Sequence, residues 1–266
     1  MIGLFDRDYS KLTEDEICQK KEIDAESRRS TVGKYGCINM FYRYPKAVRH
    51  NCSLFPNNYM DILLLRDVTE LNKQCDGFEE LLNDKSVTEL DIKRYIQKNG
   101  YYHIPASIFS RYNFGHHQAV LFKEFQLGTS YKADYALAGH ASGGWQFIFV
   151  EFENPYGRVI LNDGNWGDVV RKGLNQIDEW KTFIESNYST IYEEFRKFTH
   201  KSLPDEFMRF DSSRMNYVVV AGRRQDFEND TSRIKQRRLE QENNIKILHY
   251  DNLLDDARRL INANTY

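Results

Sequence analysis

An apolar run near the middle of the chain ends in two carboxylates. The run WQFIFVEFE starts at residue 145. Because side chains alternate along a strand, Glu151 and Glu153 lie on the same face of it. Both faces of the run are apolar before that point, which is typical of a strand covered on both sides. Two readings are open: the acids mark the end of a strand that leaves the core, or they form a metal or acid/base site.

Hairpin pairing aligns further charged residues with these two acids. Short connections rich in Gly and Ser separate three strand-like runs, AVLFKEFQLG, YKADYALAG and WQFIFVEFE. If the turns are centred on residue 129 and between residues 142 and 143, Asp134 lies opposite Glu151. Lys132 then lies opposite Glu153, and Glu124 lies opposite Asp134 on the third strand. The resulting row of acids would repel, and Mg²⁺ or Mn²⁺ beside a phosphodiester would relieve that repulsion.

The composition indicates a folded soluble protein and excludes several classes. The chain has 266 residues, of which 41% are hydrophobic and 14% aromatic, and its formal net charge is -2. The chain as a whole is not basic, so its net charge does not indicate nucleic acid binding. A nucleic acid site would have to be a local basic patch. The N-terminus has the features of neither a signal peptide nor a membrane anchor. The cysteines form no CxxC pair, which indicates reduced thiols, predicts a cytoplasmic protein and argues against a zinc site.

The first part of the chain differs in character from the rest. We expect short strands there, at residues 36–44 and 59–66. Two helices follow, with Asp84 or Ser86 as a cap and with a stop at Asn99-Gly100. We therefore divide the chain into an N-terminal segment for sensing or assembly and a larger domain, residues 1–76 and 77–266.

The segments after the three strands complete a mixed sheet. The periodicity predicts a long helix over residues 168–198 with a break near Asn187. A buried strand, MNYVVVAG, then precedes a charged helix over residues 226–242. The strand IKILHY and a final helix capped by Asp251 follow. A strand–helix–strand unit after a three-strand meander predicts an α/β fold with a mixed β-sheet flanked by helices.

The sequence resembles a known superfamily of nucleases. An Asp on one strand, a Glu pair on the next and a Gln on the following helix are similar to the PD-(D/E)xK pattern. The segments FKEFQLGTSYKADYAL, FIFVEFENP, GLNQIDEW, VVVAGRR and ILHYDNLL come in the order of the Shedu anti-phage defence nuclease domain. The resemblance covers residues 77–260. It implies a restriction-endonuclease-like core, a DNA substrate, and a homo-oligomeric assembly or an N-terminal sensor that restrains cleavage.

The resemblance also assigns roles to individual residues. It implies that Asp134 and Glu151 hold Mg²⁺ or Mn²⁺, with Glu124 a further ligand from the predicted acidic row. It implies that Gln176 helps to order the site. A polar residue at a helix–sheet margin is the equal alternative for Gln176.

Glu153 departs from the superfamily pattern. A Lys at this position would orient the attacking water and neutralise developing charge, and Glu cannot supply that charge. Lys132 is the leading replacement, because the register places it opposite Glu153. Arg171 and Lys172 are weaker replacements. If none of them substitutes, the domain has lost cleavage.

Arg223 and Arg224 are candidate substrate-binding residues. They follow the strand MNYVVVAG, and ligands of α/β sheets bind at the carboxyl ends of strands. One interpretation is that Arg223 and Arg224 contact a phosphate, and the other is that they are ordinary surface charges.

Three functions are compatible with these residues. The leading hypothesis is a metal-dependent nuclease that cleaves DNA in bacterial anti-phage defence. The second is a nuclease-fold module without cleavage that binds nucleic acid or a partner, and the Glu at position 153 favours it. The third, a purely structural subunit, leaves the acidic row unexplained.

Overall fold

A five-stranded mixed sheet is the centre of the fold. The computed structural model describes residues 4–29, 31–32, 36–37, 40–228 and 230–266. The strands are β1 (Thr31–Val32), β2 (Gly36–Cys37), β3 (Gln118–Leu127), β4 (Tyr131–Ala141), β5 (Gly144–Phe152), β6 (Met215–Val220) and β7 (Ile245–Leu248). The helices are α1 (Glu14–Arg29), α2 (Lys46–Cys52), α3 (Val68–Asn83), α4 (Glu89–Asn99), α5 (His103–Ala106), α6 (Asp168–Ser186), α7 (Tyr188–Arg196), α8 (Asp230–Asn243) and α9 (Tyr250–Leu260). The large sheet has the order β3-β4-β5-β6-β7, and β1 pairs with β2.

The first three strands of the sheet form an antiparallel meander. Lys123 pairs with Tyr135, and Tyr135 pairs with Val150. These pairs have the register that the sequence predicts from its two tight connections. β6 joins β5 in parallel, and β7 joins β6 in parallel. The predicted α/β class with a mixed sheet is therefore confirmed.

Helices cover both faces of this sheet. Phe147 and Phe149 of β5 pack in a core with residues of α6 and α7. Ile148 and Val150 pack in a second core with residues of α3, α4 and α9. From Phe147 to Phe152, every residue of β5 is buried, which requires apolar side chains on both faces, as the sequence predicts.

The elements after the meander follow the prediction with two differences. The long helix is broken at Asn187, as expected, which separates α6 from α7. α8 begins later than predicted, because Arg224–Phe227 forms a 3-10 helix before it. The cap of α9 is His249, whose side chain accepts a hydrogen bond from the backbone N–H of Asn252. The expected cap, Asp251, lies in the first turn instead.

The strand predicted at residues 59–66 is wrong. Ile62–Arg66 forms a 3-10 helix, and Tyr59 makes an isolated bridge to Val120. The side chain of Asp61 accepts a hydrogen bond from the backbone N–H of Leu63 at 3.1 Å. This side-chain contact favours a turn over an extended strand.

The strand predicted at residues 36–44 is wrong beyond its first two residues. β2 ends at Cys37, residues 38 and 39 lie outside the described residues, and Phe41–Arg43 is a 3-10 helix. The cap predicted for the second helix is also wrong, since Thr88 and Asp91 form a capping box at the start of α4. Its predicted stop is confirmed, because Gly100 has a φ of 70°.

The division at residue 76 falls inside α3. Leu4, Met60 and Leu65, from the first part of the chain, share a hydrophobic core with Phe78 and Ile92. The two parts are therefore joined by one helix and one core. A separate function for residues 1–76 stays a prediction.

Gly173 allows α6 to approach the sheet closely. A Cβ atom there would lie 2.7 Å from Val219 Cγ1 and 3.2 Å from Glu153 Cγ. Gly in a helix interior costs roughly 0.5–1 kcal/mol relative to Ala. The close approach explains why Gly occupies this position, and it brings the neighbouring Lys172 within reach of Glu153.

We expect Gly173→Ala to lower the free energy of unfolding by about 1–2 kcal/mol, because overpacking outweighs the gain in helix propensity. Denaturant unfolding measures this change. Gly77→Ala in α3 is the matched control, because its Cβ would meet the terminal hydroxyl of Tyr95, a movable group. Equal stability of Gly173→Ala and the wild type would show that α6 does not need this approach.

Candidate metal centre

β4 and β5 separate at one end of the meander. Their last pair is Tyr135 with Val150, although the register would next place Asp134 opposite Glu151. β5 continues beside β6 as far as Phe152, and β4 continues beside β3. Asp134 Oδ2 accepts a hydrogen bond from the backbone N–H of Phe152 at 2.9 Å. The backbone hydrogen bonds between β4 and β5 therefore stop before Asp134 and Glu151. The side-chain carboxylates of these two residues lie in the gap between the strands.

Three carboxylates converge at this gap. Glu89, from the first turn of α4, joins Asp134 and Glu151, and one oxygen of each lies within 4.8 Å of the others. Asp134 and Glu151 are 8% and 4% exposed, and the adjacent Glu153 is 2% exposed. Buried like charges at this distance repel strongly, so the group needs positive compensation.

Two lysines provide part of that compensation. Lys93 Nζ lies 2.6 Å from Glu89 Oε1 and 2.8 Å from Asp134 Oδ1. Lys172 Nζ lies 2.8 Å from Glu153 Oε2 and 3.5 Å from Glu89 Oε2. Two ammonium groups therefore face four carboxylates, which leaves an excess of negative charge when all four are ionised.

Two buried oxygens of these four carboxylates, Glu151 Oε2 and Glu153 Oε1, lack a hydrogen-bond partner among the described residues. A buried carboxylate oxygen in this state needs a proton or a cation. The group formed by Glu89, Asp134 and Glu151 offers only carboxylate oxygens, the ligands that suit Mg²⁺ and Mn²⁺. These donors fit a hard divalent cation.

Burial raises the pKa of all three buried acids. Burial, and then the charges of Asp134 and Glu153, raise the pKa of Glu151 to about 9. Burial also raises the pKa of Asp134 against the opposing effect of Lys93. The pKa of Glu153 is raised by burial against the opposing effect of Lys172. At neutral pH, Glu151 is therefore protonated unless a cation compensates it.

Lys132 does not face Glu153, so that expectation is wrong. Lys132 Nζ lies 2.8 Å from Glu124 Oε1, and these side chains are 45% and 58% exposed. The divergence of β4 from β5 carries Lys132 away from Glu153, although the register is as predicted. Glu124 has a φ of 48°, which breaks its pairing with β4. The structure does not bring Glu124 into the carboxylate group; it leaves this residue in a surface ion pair.

An open cleft of about 680 Å³ lies along α6, and Lys172 connects it to the carboxylates. Lys132, Arg171, Lys172 and Gln176 are among the residues that line it. Lys172 belongs to both the cleft and the carboxylate group, since its ammonium contacts Glu153. Gln176 is half-buried one turn further along α6, and its role in ordering the site stays a prediction.

Arg223 is engaged inside the protein. Its Nη2 donates to Asp251 at 2.7 Å, and its Nη1 donates to the hydroxyl of Tyr156 at 2.8 Å and to the carbonyl of Leu82. These contacts join the end of α3 to α9. Arg224 is more exposed and forms an ion pair with a carboxylate of α9. Contact with substrate stays a prediction for both arginines, and the geometry of Arg223 favours a structural role.

The sequence reasoning missed Glu89 and Lys93. They stand four residues apart, so they lie on the same face of α4 and form an ion pair. This spacing is common on solvated helices. Nothing local distinguishes the pair from an ordinary surface ion pair, and only the packing of α4 against the sheet brings it to Asp134.

Comparison with known proteins gives one family. The family model described as Shedu protein SduA, C-terminal, matches residues 86–254, which is more than half of the chain. A search of the curated proteins gives no match. In the described part of the chain, no helix combines the length and the apolar character that crossing a bilayer requires. The matched region includes the three converging carboxylates and both lysines.

We expect the stability of the metal-free protein to fall as the pH rises, through Glu151. Its folded-state pKa is raised from 4.5 to about 9, so its contribution is complete at low pH and is lost between these values. Unfolding in EDTA from about pH 5 to pH 9 measures this loss.

Glu151→Gln removes that contribution, so its stability should decline less over the same interval. Glu193→Gln, at an exposed position of α7, is the control and should follow the wild type. Parallel pH profiles for the wild type and Glu151→Gln would mean that Glu151 is not held protonated in the folded state.

A second expectation concerns the arginines. Arg223→Met should lower the free energy of unfolding by about 2 kcal/mol or more, because it leaves partly buried acceptors unpaired. Arg224→Met should change it by less than about 0.5 kcal/mol. Thermal and denaturant unfolding test both values, and equal effects would contradict the structural role of Arg223.

Proposed function

The chain belongs to the Shedu family, and from this premise we propose that it is a metal-dependent nuclease that cleaves DNA. Membership of the family suggests a role in anti-phage defence. The convergence of three carboxylates, with an unpaired buried oxygen on Glu151, is the observation that carries the proposal. A structural subunit would gain nothing from so costly an arrangement.

Glu89, Asp134 and Glu151 would hold Mg²⁺ or Mn²⁺. Such a cation, when bound, polarises a phosphate oxygen and lowers the pKa of a water. The residues of the chain fix its position, because Asp134 is anchored to the backbone of Phe152 and Glu89 is fixed on the first turn of α4. Rigid ligands on a helix and two strands are what in-line attack on a phosphodiester requires.

Lys172 is the residue that we propose in place of the missing motif lysine. Its ammonium lies beside Glu153, the position at which the superfamily has Lys, and its side chain is 61% exposed towards the cleft. An ammonium held there can bind a non-bridging phosphate oxygen and orient the attacking water. Glu153 acts as a positioning residue that holds this ammonium.

The cleft along α6 is the proposed path of the substrate. The chain as a whole carries a formal net charge of -2, so a nucleic acid must be attracted locally. Three cationic residues line the cleft, Lys132, Arg171 and Lys172, beside two acids, Asp168 and Glu179. We place this activity in the cytoplasm, and we expect homo-oligomerisation to restrain it there, because unrestrained cleavage would damage host DNA.

A module that binds DNA without cleaving it is the second candidate. The observation that favours it is Glu153, because a carboxylate cannot neutralise charge on the phosphate. In this alternative, Lys172 stabilises Glu153 without contacting substrate.

Cleavage of linear and circular DNA by the purified full chain, with Mg²⁺ or Mn²⁺, tests the proposal. Wild type should cleave, and Glu151→Gln should not. Lys172→Met should lower the rate by about 100-fold or more, because one ammonium at the reacting phosphate is lost. Lys197→Met is the matched control, because Lys197 is 66% exposed and pairs with a buried Glu on α7.

The outcomes separate the candidates. Binding of DNA without cleavage under either metal ion would favour the second candidate. Cleavage that survives Lys172→Met but is lost in Lys132→Met would assign the missing lysine to Lys132. Cleavage that survives Glu151→Gln would show that the centre is not the active site.

A further inference from the structure

Lys93 is the less exposed of the two lysines that contact the carboxylate group. It comes from the middle of α4, and its ammonium bridges Glu89 Oε1 and Asp134 Oδ1 at 2.6 and 2.8 Å. Its side chain is 28% exposed, so it is less accessible than Lys172. Two carboxylates within hydrogen-bond distance favour the charged form of this ammonium.

Every oxygen of Glu89 and Asp134 is engaged in this arrangement. Lys93 takes one oxygen of each. Glu89 Oε2 faces Lys172 at 3.5 Å, and Asp134 Oδ2 accepts from the backbone of Phe152. A divalent cation needs oxygens of these same carboxylates. An ammonium at hydrogen-bond distance competes with the cation for these oxygens, because the two positive charges repel at short range in a partly buried site.

We propose that Lys93 is an internal counter-ion that holds the metal centre in a resting state and must leave Asp134 when the cation enters. This inference rests on the metal-dependent function proposed above. The lysine stem is flexible and partly exposed, so its ammonium can move outwards to solvent. The affinity of the centre for a divalent cation is then set by α4, an element outside the sheet.

Lys93 also stabilises the carboxylate of Asp134 in the metal-free protein. Without Lys93, Asp134 would remain buried with one fewer positive neighbour, which destabilises its charged form. The lysine thus stabilises the centre in the absence of a cation and competes with the cation when it is present.

Calorimetric titration of the purified full chain with Mn²⁺ tests the proposal. Lys93→Met should bind Mn²⁺ about tenfold more tightly than wild type or better, because the competing charge is removed. Lys93→Arg keeps the charge and should bind no more tightly than wild type. Lys98→Met, an exposed lysine on the same helix, should leave the affinity unchanged.

The result that would overturn the proposal is equal or weaker Mn²⁺ binding by Lys93→Met while the wild type binds. The metal-dependent function would then survive, and Lys93 would be a positioning residue. Absence of Mn²⁺ binding in both proteins would remove the metal centre itself. If Lys93→Met does not fold, Lys93→Arg still decides, since tighter binding by that variant contradicts competition by charge.

Discussion

The packing of four carboxylates, three of them buried, against two ammonium groups is the constraint on which the site depends. Each structural feature around it either brings the acids together or limits the cost of doing so. The divergence of β4 from β5 exposes Asp134 and Glu151 to one another. α4 supplies Glu89 together with its own counter-ion, and Gly173 lets α6 bring Lys172 to the sheet. The charge that remains uncompensated is what makes the centre suited to a divalent cation.

Much of the fold could be predicted, because strong local patterns decide it. The alternation of side chains, the Gly- and Ser-rich turns and the apolar residues on both faces predict the meander and its register. The helical periodicity predicts α6 and its break at Asn187. The failure at residues 59–66 has a physical reason. An apolar run of this length fits a buried strand or a buried turn equally well, and the side chain of Asp61 stabilises the turn.

The candidate site could be predicted only in part. The face on which a side chain lies and the residue opposite it can both be predicted for paired strands, and these two predictions identify Asp134 and Glu151 as neighbours. The same predictions are wrong for Lys132, because β4 and β5 are no longer paired at this residue. No residue type in the sequence indicates where the two strands separate. Glu89 and Lys93 lie about forty residues before Asp134 in the chain. Their contact with it arises from the packing of α4 on the sheet, which a single sequence does not specify.

The most direct test of the account is to locate Mn²⁺ by anomalous diffraction in crystals of the full chain grown with that ion. The account predicts an anomalous peak coordinated by Glu89, Asp134 and Glu151, with Lys93 withdrawn from Asp134. A peak at other residues, or ordered carboxylates still bridged by Lys93 at saturating Mn²⁺, would contradict it.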